Sequence, residues 1–137
     1  MRHSIMLLPL LLLAGQASAQ GPALKPKQEA ALDKELAGRV MTGTTPCIRQ
    51  SPLLKLTVIS DDILVYRVGG KRFVNRTIGS CNGLMKGGKP IIGIDKPRIC
   101  TGDMIVVEDL ASGIRTGTCQ IGDFTIYDRA EKTRAED

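Results

Sequence analysis

Residues 54–76 read LKLTVISDDILVYRVGGKRFVNR, and their hydrophobic period is two. Leu54, Leu56 and Val58 alternate with Lys55 and Thr57, the mark of a half-buried strand. Ser60-Asp61-Asp62 turns the chain, and Ile63 to Val68 forms a second strand with Leu64, Tyr66 and Val68 on one face. Gly69-Gly70 is a two-residue hairpin turn of the kind that requires positive φ, so Lys71 to Arg76 returns as a third strand.

Outward from this hairpin the reading stays β-rich. Upstream, residues 20–26 form an extended lead-in, and Lys27 to Val40 is composed of helix formers. Leu32, Leu36 and Val40 fall at i, i+4 and i+8, one apolar stripe that packs on the sheet, and Pro26 suits the first turn. Gly43 to Pro46 ends this helix and delivers the chain to Cys47. Downstream, Gly79 to Pro90 holds four glycines and no period, so it reads as a loop. Met104 to Asp109 and Ile114 to Gln120 are strands around the turn Leu110 to Gly113, and Phe124 to Tyr127 adds a short edge strand. The sequence therefore predicts residues 47–127 as a disulfide-stapled β domain behind a lead-in and helix at 20–46. Residues 128–137, charged and without an apolar anchor, are expected to be a disordered tail. Five or six short strands with one N-terminal helix suggest a small antiparallel β-barrel, with a two-sheet sandwich as the alternative.

The amino terminus carries an export pattern. Met1-Arg2-His3 precedes a short apolar run from Ser4 to Leu13, and Ala17-Ser18-Ala19 presents the small residues that signal peptidases cut after. Cleavage is expected after Ala19. The apolar run is about half the roughly 20 residues a spanning helix needs, and Pro9 interrupts it. Gln16 stands where a lipoprotein would carry its acylated cysteine, so no lipid anchor is expected. The destination is the periplasm or the medium.

Without residues 1–19 the chain has 118 residues, with 18 basic and 14 acidic side chains, a net +4. That mild basicity suits an anionic partner but also plain solubility. All four cysteines (Cys47, Cys81, Cys100 and Cys119) lie in the mature part, and an even count in an oxidising compartment reads as two disulfides. Zinc is disfavoured because no two cysteines are spaced C-x-x-C and the sole histidine, His3, leaves with the leader. Four cysteines permit three connectivities. The favoured one joins Cys81 to Cys100 around the glycine-rich loop and Cys47 to Cys119 at the ends of the domain.

Candidate chemistry is sparse. The absence of mature histidine excludes Ser-His and Cys-His nucleophiles, and oxidised cysteines exclude thiolate chemistry. Asp95 and Asp103, flanking Cys100, are the carboxylates that could meet as an acid pair, while Asp61 and Asp62 read as turn residues. No cofactor or metal motif is present in the sequence, and the expectation is that the protein is not an enzyme. The basic residues are more suggestive. Arg67, Lys71, Arg72 and Arg76 cluster on the hairpin, and Lys96 and Arg98 precede Cys100. Arg72 and Arg76 share strand parity and so point to one face, where they could hold a phosphate or carboxylate. Tyr66, Phe73, Phe124 and Tyr127 are expected in the core rather than as nucleic-acid stacking platforms. Asn75-Arg76-Thr77 matches a glycosylation acceptor, read here as incidental.

Several spaced motifs resemble a known group. Cys47-Ile48, Asp61-Asp62, Gly69-Gly70, Gly79-Ser80-Cys81-x-Gly83-Leu84, Arg98-Ile99-Cys100-x-Gly102-Asp103 and Gly117-x-Cys119-x-x-Gly122-x-Phe124 are similar to small exported proteobacterial proteins classed as a domain of unknown function. The likeness spans about Leu36 to Phe124 and departs at Asn82, where proline is expected. It implies four paired cysteines and export, and it carries no activity or ligand. The leading expectation is a non-enzymatic periplasmic or secreted module that binds an anionic envelope component or a periplasmic protein, or serves a structural role there. No membrane anchor and no nucleic-acid partner are expected. A disulfide-constrained inhibitor using Leu84, Met85 and Lys86 is the alternative, followed by a small hydrolase using Asp103 or Asp95.

Overall fold

A computed structural model describes residues 23–93 and 95–131. The expected leader and cleavage site, like residues 132–137 of the expected tail, lie outside the described residues. Helix α1 (Pro26–Leu36) is followed by ten strands: β1 (Arg39–Thr45), β2 (Cys47–Arg49), β3 (Lys55–Val58), β4 (Ile63–Val68), β5 (Lys71–Arg76), β6 (Lys89–Ile92), β7 (Arg98–Cys100), β8 (Met104–Glu108), β9 (Arg115–Gln120) and β10 (Phe124–Arg129). They form three antiparallel sheets: β1-β10-β5-β4-β3, β6-β8-β9, and the ribbon β2-β7. Among the described residues no barrel closes, and the strand count exceeds the five or six expected from sequence. The expected β-rich, one-helix, two-disulfide character is what the chain adopts.

The hairpin at 54–76 forms as its periodicity predicts, with Tyr66 opposite Phe73, Arg67 opposite Arg72, and Gly69 at φ 56° in the turn. Its burial is more complete than expected. Ile63, Leu64, Val65 and Tyr66 are all at most 1% exposed, so β4 is covered on both faces. Below it, Ile63 and Val65 join Ile59 and Val74 under Leu32 and Leu36 of α1. Above it, Leu64 and Tyr66 join Phe124 of the same sheet in a cluster with Ile105, Val107, Ile48 and Ile99 from the smaller sheets and Ile121 from the segment after β9. Tyr66 and Phe124 pack edge-to-face, with centroids 5.6 Å apart. The result is three layers: helix, five-stranded sheet, and the two smaller sheets.

Three local expectations change. Helix α1 stops at Leu36 rather than Val40, because Gly38 takes φ 70°, the left-handed conformation that terminates helices. Val40 therefore leaves the apolar stripe and stands exposed in β1. That strand pairs with β10, so Phe124 begins an internal strand, not an edge, and the ladder runs on through Asp128 and Arg129 of the expected tail. Finally, the disulfides are Cys47–Cys100 and Cys81–Cys119, not the expected Cys81–Cys100 around the glycine-rich loop and Cys47–Cys119 at the domain ends. Strand register decides this. Cys47 lies directly opposite Cys100 in the β2-β7 ribbon, with Cα atoms 4.1 Å apart, and Cys81 lies 5.0 Å from Cys119 of β9.

Asn75, prominent in the sequence only as part of a glycosylation acceptor, is a buried polar group with a structural role. It is fully buried, its Nδ2 donates to the Gly122 carbonyl at 2.6 Å, and the Gly122 N–H donates to its Oδ1 at 3.1 Å. The side chain thus pairs like a backbone unit across the turn before β10. This buried amide is closed to glycosylation. Gly122 has no room for a side chain, since a Cβ there would collide with the Arg76 carbonyl.

Two outcomes are expected. Asn75→Ala leaves the Gly122 N–H and C=O unpaired in the interior and should cost about 2 kcal/mol in urea unfolding; a loss under about 0.5 kcal/mol would contradict this account. Non-reducing peptide mapping should recover Cys47 linked to Cys100 and Cys81 linked to Cys119. Removal of either bridge should lower stability by up to about 4 kcal/mol on the chain-entropy model.

Candidate functional site

Strand register gathers cations on the α1 side of the large sheet. Side chains directly opposite one another share a face. Arg67 lies opposite Lys55 on one side and Arg72 on the other, Arg72 lies opposite Tyr127, and Arg39 lies opposite Arg129. Tyr127 packs under α1, which fixes this face as the helical one, and Arg129 follows it at the same parity. Lys55, Arg67, Arg72, Arg129 and Arg39 therefore form a strip across all five strands, roughly 19 Å over four inter-strand steps.

One carboxylate enters the strip. Glu35, in the last turn of α1, lies 3.4 Å from Arg72 Nε and 3.7 Å from Arg67 Nε. The Thr57 hydroxyl donates to Glu35 Oε1 at 3.1 Å and accepts from Arg67 Nη2 at 3.4 Å. The Arg39 guanidinium donates to the Gly70 carbonyl, which holds it against the hairpin turn. Glu35 does not neutralise the field here. Desolvation and then the charge of Arg39 depress the Arg72 pKa, against a smaller raising effect of Glu35, and Arg67 and Arg129 depress it further. Cation excess prevails at Arg72.

The expected anion-binding residues divide among several places. Arg67 and Arg72 belong to the strip. Lys71, one residue out of phase, turns to the opposite face and pairs with Asp128 at 3.4 Å. Arg76 shares Arg72's face but sits roughly 13 Å along the strand, with buried Val74 between them, so the two cannot clasp one small anion. Lys96 pairs with Asp103 at 2.8 Å, and Arg98 lies in the β2-β7 ribbon. Arg39, Lys55, Arg129 and Glu35 were missed, because only pairing across the sheet brings them beside Arg67 and Arg72. The signal available was strand parity, once β1 and β10 are recognised as partners.

The acid candidates take backbone roles. Asp103 Oδ2 accepts from the Cys100 N–H at 2.9 Å, and with Lys96 on Oδ1 its carboxyl is held below the usual range. Asp95 is exposed on the neighbouring turn. Asp61 Oδ1 accepts from the Met85 N–H at 2.9 Å and its carbonyl from the Cys81 N–H at 2.8 Å. That anchoring, with Leu84 buried in the core, leaves Met85 and Lys86 as the exposed part of the loop proposed for an inhibitor. Among the described residues no three His, Cys, Asp or Glu side chains cluster as a metal site, and no helix is long and apolar enough to cross a membrane.

Comparison with family models, curated proteins and solved structures returns no match.

Asp103 generates a pH expectation. Its folded pKa lies below its unfolded value, mainly through the Lys96 hydrogen bond and then the Cys100 N–H. Its stabilisation is complete above the unfolded pKa of about 3.9 and is lost as pH falls through the folded value. Thermal unfolding from neutral pH down to about pH 2 should show a steeper fall below about pH 4 in the native chain than in Asp103→Asn. Parallel curves would remove Asp103 from the acid response.

Proposed function

We propose that this chain is an exported, non-enzymatic binding module, cleaved after Ala19, that engages an anionic component of a bacterial envelope through the basic strip on its large sheet. The observation that carries the reading is the imbalance on that face: Lys55, Arg67, Arg72, Arg129 and Arg39, with Glu35 the one carboxylate ion-paired to them among the described residues. Two disulfides with no free cysteine fit an oxidising compartment, which agrees with the export pattern and with the resemblance to exported four-cysteine proteins. With every cysteine oxidised and no mature histidine, thiolate and imidazole nucleophiles are not available to the chain.

Magnitude defines the type of binding. A cation near an anionic lipid surface contributes about 1 kcal/mol. Four uncompensated cations would therefore supply about 4 kcal/mol, a millimolar-scale contact per molecule. Such attraction is long-ranged, broad in partner and screened by salt. It suits retention at a surface rich in phosphate groups rather than tight capture of one molecule. The rigid sheet helps because the cations are already spaced before contact.

The test is co-sedimentation of the mature protein with phosphatidylglycerol vesicles, using phosphatidylcholine vesicles as the neutral control. Binding should be selective for the anionic vesicles and vanish at about 0.5 M salt. Arg39→Gln with Arg129→Gln, both outside the Glu35 ion pairs, removes about 2 kcal/mol and should weaken it about thirtyfold. Equal binding to both vesicle types, or an unaffected double variant, would overturn the reading.

A further inference from the structure

The β2-β7 ribbon pairs one tripeptide with its own reversal. Pro46-Cys47-Ile48-Arg49 runs against Pro97-Arg98-Ile99-Cys100, so Cys47 faces Cys100, Ile48 faces Ile99 and Arg49 faces Arg98. Thr101 N–H donates to the Pro46 carbonyl at 2.8 Å, and Gln50 N–H donates to the Pro97 carbonyl at 3.0 Å. The alternation of an antiparallel ladder then places Arg49 and Arg98 at a narrow, non-hydrogen-bonded pair, where opposing side chains approach most closely. Ile48 and Ile99 point into the core, so the two arginines share the outer face with the Cys47–Cys100 disulfide. The bridge, two residues away, locks the register that juxtaposes them.

Like charges directly opposite destabilise an antiparallel pair. Several other close cations have a carboxylate partner: Arg67 and Arg72 share Glu35, Lys71 meets Asp128, and Lys96 meets Asp103, whereas the opposed Arg39 and Arg129 of the strip are a second like-charged pair. Among the described residues, neither Arg49 nor Arg98 has a carboxylate within the 4.0 Å of an ion pair. The pair lines a groove of about 470 Å³ with Gln50 and Pro97, and a second hollow of about 340 Å³ adjoins it at Gln50, Ser51, Pro52 and Lys96. Gln50 lines both, and its Oε1 is buried without a hydrogen-bond partner. The Nε2 of the same carboxamide carries two N–H donors. The Ser51 Oγ accepts from the Leu53 N–H at 3.2 Å, which leaves its own O–H to donate.

We propose that this groove is a binding site for a phosphate group, distinct from the basic strip, with the arginines as paired forks and the Gln50 amide and Ser51 hydroxyl as further donors. Guanidinium forks match phosphate oxygens two at a time. A tetrahedral phosphate has more acceptor oxygens than a carboxylate and can occupy both forks while still facing the amide. The adjoining hollow leaves space for a polar body attached to the phosphate, so a phosphate monoester is the ligand class. Inorganic phosphate and a phosphorylated sugar share the recognised chemistry.

The test is thermal unfolding and isothermal titration calorimetry of the mature, disulfide-intact protein. The probes are sodium phosphate, glucose 6-phosphate, sodium acetate and sodium chloride at matched ionic strength. Phosphate should raise the Tm saturably above acetate and chloride. If the adjoining hollow receives the ester body, glucose 6-phosphate binds more tightly than inorganic phosphate; equal or weaker binding overturns the monoester assignment. Arg49→Gln or Arg98→Gln should abolish the phosphate effect while the ligand-free Tm holds or rises, since the like-charge contact is relieved. Arg98→Lys keeps the charge but loses the fork, and should weaken phosphate by about tenfold. A phosphate response no larger than chloride's, or one that survives Arg49→Gln, overturns the site. Neither glutamine variant alters the strip, so vesicle binding should persist in both, and failure of one proposal is distinguishable from failure of the other.

Discussion

Strand β4 buries Ile63, Leu64, Val65 and Tyr66 in succession, and a strand buried on both faces requires a layer on each side. This constraint organises the protein. Alternate residues feed two separate apolar clusters, one closed by α1 and the other by the two smaller sheets. The Cys81–Cys119 bridge sits within the larger cluster, tying the loop after β5 to β9 where those sheets meet the hairpin. Tyr66 spends its hydroxyl on this arrangement. The group is buried without a hydrogen-bond partner, and burial pushes its pKa well up.

The helical layer is the lighter of the two. Helix α1 has no fully buried residue, and its hold combines half-buried Ala31, Leu32 and Leu36 with Glu35 set between two arginines. Glu35 and Arg72 are both largely shielded, with side chains 15% and 18% exposed, whereas Arg67 at 39% is wetter and its ion pair weaker. The same carboxylate that tethers the helix leaves the surrounding strip with excess positive charge. Structural attachment and surface electrostatics are thus coupled through one residue.

Charge on this molecule sorts by register rather than by sequence proximity. Lys71 and Arg72 are neighbours in the chain, yet one pairs with Asp128 above the sheet and the other with Glu35 beneath it. Arg49 and Arg98 lie in segments far apart in the chain but meet across two strands. The mirrored Cys-Ile-Arg and Arg-Ile-Cys segments were visible in the sequence. They became informative only with the antiparallel pairing of β2 and β7, which also explains why Cys47 selects Cys100.

The sequence by itself determined the elements whose signals are local. The β4-β5 hairpin follows from its period of two and its Gly-Gly turn. The presence of a helix after Pro26 follows from its composition, and paired cysteines follow from their even count. Tertiary structure alone decided the open three-sheet arrangement, the internal place of β10, the disulfide pairing, the basic strip and the meeting of Arg49 with Arg98. The reason is physical. Backbone preference and hydrophobic period act between near neighbours, whereas sheet order and register are selected by burying the two faces of β4 together, a condition that no single segment contains.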